Sequence, residues 1–233
     1  MTAALVLSAL LIPSLARAFP PYRLTDAETA DPWVLEGRLG LFRIKRESSD
    51  TGYSSPLLRM NLGIPHNLEI VSEFEYRADE GEVADAALGF KWVPLMRSLS
   101  VGMEVLALLP VTAEPGGAGV ESSLLATYRA GALRLHANAV GFYDGRPEES
   151  EAGWKGGIIT EWKLNRVRPG VEIFAKQVSS EPVEVLAGPG IIFDVGPFDP
   201  RSGVHVGLTD DAPDLVVSLW ITSKFPLPWA DGK

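Results

Sequence analysis

The chain has no cysteine, so neither a disulfide framework nor thiolate chemistry is open to it. It has only three histidines, His66, His136 and His205, and no His-x-x-x-His pair, so nothing local supports a metal site. Basic residues are outnumbered, 21 Lys and Arg against 30 Asp and Glu, and the formal net charge of −9 argues against a nucleic-acid partner. Long apolar runs are equally scarce. The longest, Ala3–Leu15, opens the chain and falls short of the roughly 20 residues a helix needs to cross a bilayer. No later stretch approaches it, and no transmembrane helix is expected.

That opening run ends in the small residues Ala16-Arg17-Ala18 and reads as a signal peptide, 1–18, cleaved before Phe19. It lacks the usual basic residue ahead of the apolar stretch, and a short anchor helix is the other reading. The proline-rich segment 19–32 then reads as a periplasmic lead.

What the sequence has in plenty is alternation. Leu58, Met60, Leu62 and Ile64 interleave with Arg59, Asn61 and Gly63; after Pro65-His66-Asn67, Leu68, Ile70, Phe74 and Tyr76 alternate with Glu69, Glu73, Glu75 and Arg77. Leu88, Phe90 and Trp92 then oppose Ala87, Gly89 and Lys91. Period two over nine or more residues is a strand with one greasy and one wet face. A first strand begins at Trp33, where Phe42 and Ile44 break the phase and a bulge or strand end is expected near Leu41-Phe42, and Glu47–Ser55 reads as a polar loop. Pro94–Arg97 reads as a tight turn, and further alternating runs follow to a last strand ending at Phe225. The tally is twelve strands, short turns after the even-numbered ones and mostly longer or more acidic connections after the odd ones. That is the habit of an outer-membrane barrel, and the fold expected over 33–225 is an all-β, antiparallel, up-and-down transmembrane barrel with a tail at 226–233.

Three features favour lipid around the barrel. The aromatic residues Trp33, Tyr76, Trp92, Tyr128, Tyr143, Trp154, Trp162 and Phe225 fall at strand ends on the greasy face, as two interfacial girdles would require. The wet face carries charge of both signs, expected to line the lumen: Arg59, Glu73, Lys91, Glu104 and Glu121, then Arg129, Arg134, His136 and Glu161. Runs of about 11 residues also suit a tilted spanning strand. A soluble barrel would turn its apolar face inward instead. Phe142, Phe174 and Trp220 are expected to be apolar stations in the lumen, or packing against loops or the N-terminal segment.

The segment Pro21-Tyr22-Arg23-Leu24-Thr25-Asp26-Ala27-Glu28-Thr29-Ala30 with Trp33-Val34-Leu35-Glu36 resembles the start of the MetA-pathway of phenol degradation family. Leu62–Glu69, Ala87–Lys91 and Gly207–Asp214 resemble its later strands and C-terminal hairpin. The resemblance implies a channel-like outer-membrane protein, associated with aromatic compounds and without fixed catalytic residues.

Catalysis has little support from the residues. Ser123 and His136 could meet across a hairpin, but no nucleophile motif surrounds them. The strand glycines, among them Gly102, Gly170 and Gly190, open no helix and suit bending or close backbone approach. Asp144–Glu151 and Asp210-Asp211 read as solvated loops. No cofactor is implied. The expected partners are outer-membrane lipid and a small solute, aromatic or hydrophobic, passing a narrow charge-lined lumen. A closed structural barrel and a soluble periplasmic lipid-binding barrel are the alternatives, and the oligomeric state stays open.

Overall fold

The computed structural model describes residues 21–46, 49–77, 82–110, 117–146 and 150–228. The leader 1–18, Phe19, Pro20 and the end of the tail lie outside the described residues. Twelve strands run β1 Val34–Arg46, β2 Ser49–Ile64, β3 Leu68–Arg77, β4 Glu82–Met96, β5 Leu99–Leu109 and β6 Gly119–Ala130, then β7 Leu133–Asp144, β8 Glu151–Trp162, β9 Val167–Val178, β10 Glu184–Phe193, β11 Phe198–Gly207 and β12 Leu215–Pro226. Each pairs antiparallel with its neighbours in sequence, and β1 closes on β12, from Val34 opposite Pro226 to Lys45 opposite Leu215. The result is a closed up-and-down barrel with no free sheet edge.

The alternation decides which face is which. Along β5, Gly102, Glu104, Leu106 and Leu108 point inward and are buried, while Val101, Ala107 and Leu109 are exposed. The outer wall is mostly apolar: Leu124 is 68% exposed, Ile158 and Ile173 56% each. A soluble protein rarely leaves so continuous an apolar surface uncovered. Aromatic residues ring both ends of this wall. Trp92, Tyr128, Trp162 and Phe225 lie at the short-turn end and Tyr76, Tyr143 and Trp154 at the other, all exposed.

Several sequence expectations need correction. Trp33 has a left-handed backbone (φ 65°) and precedes β1; it is half-buried, with its N–H on the Gly63 carbonyl at 2.8 Å. The polar stretch from Ser49 to Ser55 is strand, because pairing with β1 satisfies its backbone whatever its side-chain propensities. The bulge expected near Leu41-Phe42 is present, as a register shift between Gly40 and Phe42, although Gly40 and Phe42 both stay on the inner face with Leu41 exposed between them. The irregularity lies in β2, which advances three residues, Leu57 to Ser54, while β1 advances two. Pro56, which has no N–H for the ladder, sits in that bulge. β4 likewise continues through Pro94 with a register shift between Trp92 and Leu95, so its turn is only Arg97-Ser98.

The largest departure is at the N-terminus. Residues 21–30 of the segment expected to be an external lead lie inside the barrel, with Pro21, Tyr22, Leu24 and Asp26–Ala30 buried.

Candidate functional site: the plugged lumen

Residues 21–31 run from the short-turn end, where Trp33 meets Gly63, into the lumen, where Pro21 rests against β11 and β12. This segment has no sheet partner, so its backbone amides need other acceptors. Wall side chains supply them. Glu172 of β9 takes the N–H groups of Arg23 (2.9 Å) and Leu24 (2.9 Å). Asn138 of β7 pairs with Thr25 through both its oxygen and its nitrogen, each at 2.8 Å. Thr127 of β6 takes Ala27 at 2.8 Å, and Glu69 of β3 takes Ala30 at 3.3 Å. Ser218 of β12 donates to the Pro21 carbonyl at 2.9 Å.

Side chains complete the clasp. Lys91 Nζ lies 3.0 Å from Asp26 Oδ1, and both side chains are fully buried. Arg129 binds Glu28 through Nε at 2.8 Å and also through Nη2, with Arg134 3.7 Å away. Tyr22 and Leu24 join Ile159, Phe174, Leu186, Ile192, Ala212 and Val216 in an apolar cluster on one side of the barrel. Inward glycines make room. A Cβ on Gly203 would stand 2.9 Å from Pro21 Cβ, and one on Gly190 2.6 Å from the Tyr22 ring. Gly170 faces the Tyr22 hydroxyl in the same way.

Toward the short-turn end further ionisable side chains lie close together, and Glu172 faces one of them as well as the plug. His205 Nε2 is 2.8 Å from Glu172, His136 Nε2 3.5 Å from Glu161, and Arg168 3.3 Å from Asp194. Glu36 binds Arg38, and Asp199 lies 3.4 Å from Arg201 and 3.7 Å from Lys224.

Among the described residues, the other end is left unfilled. A cavity of about 520 Å³ has residues Tyr22–Thr25 as its floor and the strand walls around it. Its aromatic side holds Phe42 and Trp220, edge to face with centroids 5.1 Å apart, and Phe174, over whose ring the Arg23 guanidinium sits at 4.9 Å. Gly40 leaves the space Trp220 fills. Its polar side holds Arg59, bound to Glu73 and, at 2.6 Å, to Glu104, while Lys155 meets Glu121 at 2.7 Å.

Every charged residue expected in the lumen faces the interior, but not as one lining. Arg59, Glu73, Glu104 and Glu121 border the cavity with Phe142, Phe174 and Trp220. Lys91, Arg129, Arg134, His136 and Glu161 lie on the plugged side, the first three bound to or close beside the plug's carboxylates. Sequence reasoning missed the plug itself. A signal was present in the inward glycines of β9, β10 and β11, Gly170, Gly190 and Gly203, against which Pro21 and Tyr22 pack. The Ser123–His136 pair does not form. His136 Nδ1 instead lies 2.9 Å from Thr127 Oγ1. Thr127, His136 and Glu161 thus stand in the order of a nucleophile, base and orienting acid. Yet all three are fully buried and the Thr127 oxygen is held by the Ala27 amide, so no substrate reaches them. Among the described residues, no three His, Asp or Glu side chains are arranged to hold a metal ion.

The fold is shared with outer-membrane porins and channels. The COG4313 outer membrane channel from Pseudomonas putida F1 matches with a TM-score of 0.64 at 10% identity, over 88% of this chain and 100% of that one. The KdgM porin matches with a TM-score of 0.60 at 9% identity, over 81% and 99% of the two chains. The NanC porin matches with 0.56 at 10%, over 83% and 100%. No family model and no curated protein matches the chain. The likeness is therefore one of architecture, a porin-like barrel of twelve strands.

Proposed function

We propose that the chain is an outer-membrane channel that admits a small solute, aromatic or hydrophobic in part, through the loop end of its barrel. In this reading the apolar outer wall faces lipid, the aromatic rings sit at the two interfaces, and the short-turn end faces the periplasm. The observation that carries it is the cavity of about 520 Å³, of a size that suits a small molecule, closed below by the chain's own residues 22–25. The plug is held by hydrogen bonds and ion pairs and has no strand pairing, so passage requires it to shift within the lumen. Fixed charges at the cavity, Arg59, Glu73, Glu104 and Glu121, then tune which solutes pass.

Single-channel recording of the refolded full chain in a planar bilayer tests this, after heat-modifiable gel mobility has established the barrel. Discrete conductance steps that grow when the plug is loosened by Glu172→Gln support a plugged channel. A heat-modifiable barrel that stays silent in both forms overturns it. That outcome favours a closed structural barrel, a reading supported by the fully buried Lys91–Asp26 pair and the packed short-turn half.

A further inference from the structure

Lys176 stands apart among the charges at the cavity. It lies on the inner face of β9, half-buried, and has no hydrogen bond or ion pair among the described residues. Its neighbours are matched. Arg59 holds Glu73 and Glu104, Lys155 holds Glu121, and Arg146 holds Asp144 at 2.6 Å. Glu75 and Arg23 are engaged, and Glu151 is exposed to solvent at the rim. In register, Lys176 is directly opposite Lys155 on β8, and like charges so placed repel. Glu184, its partner position on β10, makes no ion pair with it. Two residues along the same face is Phe174, and Trp220 and Phe42 continue that apolar side around the wall.

We propose that the vestibule binds a monoanionic amphiphile, its carboxylate between Lys176 and Lys155 and its apolar body along Phe174, Trp220 and Phe42. An anion there relieves the lysine pair and gives Lys176 the charge-assisted hydrogen bond it lacks. The assignment rests on reading the cavity as the solute's mouth, and it names the chemistry that mouth selects: an acid with a greasy body, in preference to a neutral or cationic analogue.

The test is saturation-transfer NMR titration of the full-chain barrel in neutral-lipid nanodiscs with octanoate, octanol and octylamine, empty nanodiscs serving as the blank. Octanoate should bind saturably and at least about fivefold tighter than octanol, with octylamine weakest. Lys176→Gln should weaken octanoate about tenfold, the loss of one charge-assisted hydrogen bond, and leave octanol unchanged. Lys224→Gln, toward the short-turn end, should change neither. Equal binding of octanoate and octanol, tighter binding of octylamine, or an unaltered octanoate affinity in Lys176→Gln overturns the proposal. Conductance is read separately: a silent barrel that still prefers octanoate removes the channel and keeps the site. A conducting barrel without that preference does the reverse.

Discussion

Lys91 and Lys155 both point into the same lumen, and both carry a carboxylate partner, at 3.0 Å and 2.7 Å. Lys91 is wholly buried, and its partner Asp26 belongs to the N-terminal segment; Lys155 keeps about a third of its side chain exposed, and its partner Glu121 belongs to the wall. The same contrast separates the two ends of the barrel. Toward the short turns, charges are desolvated and bind a segment that fills the space. Toward the loops, they bind one another and leave a cavity. An ion pair in the first setting acts as a clasp, since removing one partner strands the other without water. In the second, as for Lys155 and Glu121, it shapes a field that a solute meets, and losing one member is tolerable because water replaces it; Arg59 and Glu104 border the cavity but are buried and belong with the first.

Variants at each end sharpen or break this contrast. The largest effect is expected from Lys91→Met, which leaves Asp26 buried without its cation, at a cost of about 3–5 kcal/mol. The plug should leave its seat, with a large rise in open-channel events in bilayer recordings. A conductance equal to wild type would show that Lys91 holds nothing in place. Next is Gly190→Leu, whose side chain occupies the position of the Tyr22 ring and should destabilise the seated plug by about 1–3 kcal/mol. Because the chain has no cysteine, Thr25→Cys is a unique reporter. Its labelling by a water-soluble maleimide should quicken when Gly190→Leu is added, and an unchanged rate would contradict the seating. Glu172→Gln, weakening the acceptor shared by Arg23, Leu24 and His205, should quicken the same reaction less, by about 1 kcal/mol, since the Gln oxygen still accepts and only the charge assistance is lost. The smallest effect belongs to the cavity. Replacing Glu121 by Gln should leave the heat-modifiable gel shift where it is and move the reversal potential toward anion selectivity. A lower unfolding temperature would mean that this carboxylate is structural, as at the plugged end.

The strands were legible because a barrel wall repeats one local rule. Residues 58–64, for instance, alternate whether or not anything is known of their partners, and the outward, strand-end positions of Tyr128 and Trp162 follow from where each run stops. Turn residues were partly legible: His66 and Asn67 do take the left-handed conformation a tight turn uses (φ 69° and 57°). The stretch Ser49–Ser55 misled because its composition is that of a loop, and only the ladder with β1 makes it strand. The plug was not legible as such. Tyr22–Ala30 has neither period two nor helical spacing, so nothing local announces burial. Its contacts with the wall join positions 39 to 197 residues apart, such as Ala30 with Glu69 and Pro21 with Ser218.

The sequence by itself determined a twelve-stranded wall, its greasy outside and its charged inside, because side-chain direction in a strand depends only on position along the chain. Only the tertiary structure decided what fills the interior. Closing the sheet brings Glu172, Asn138, Thr127 and Glu69 to converge on one line of space, and the nearest chain able to use those acceptors is the segment tethered at the root of β1. Which lumen charges become clasps and which remain at an open cavity therefore depends on how far residues 21–31 reach.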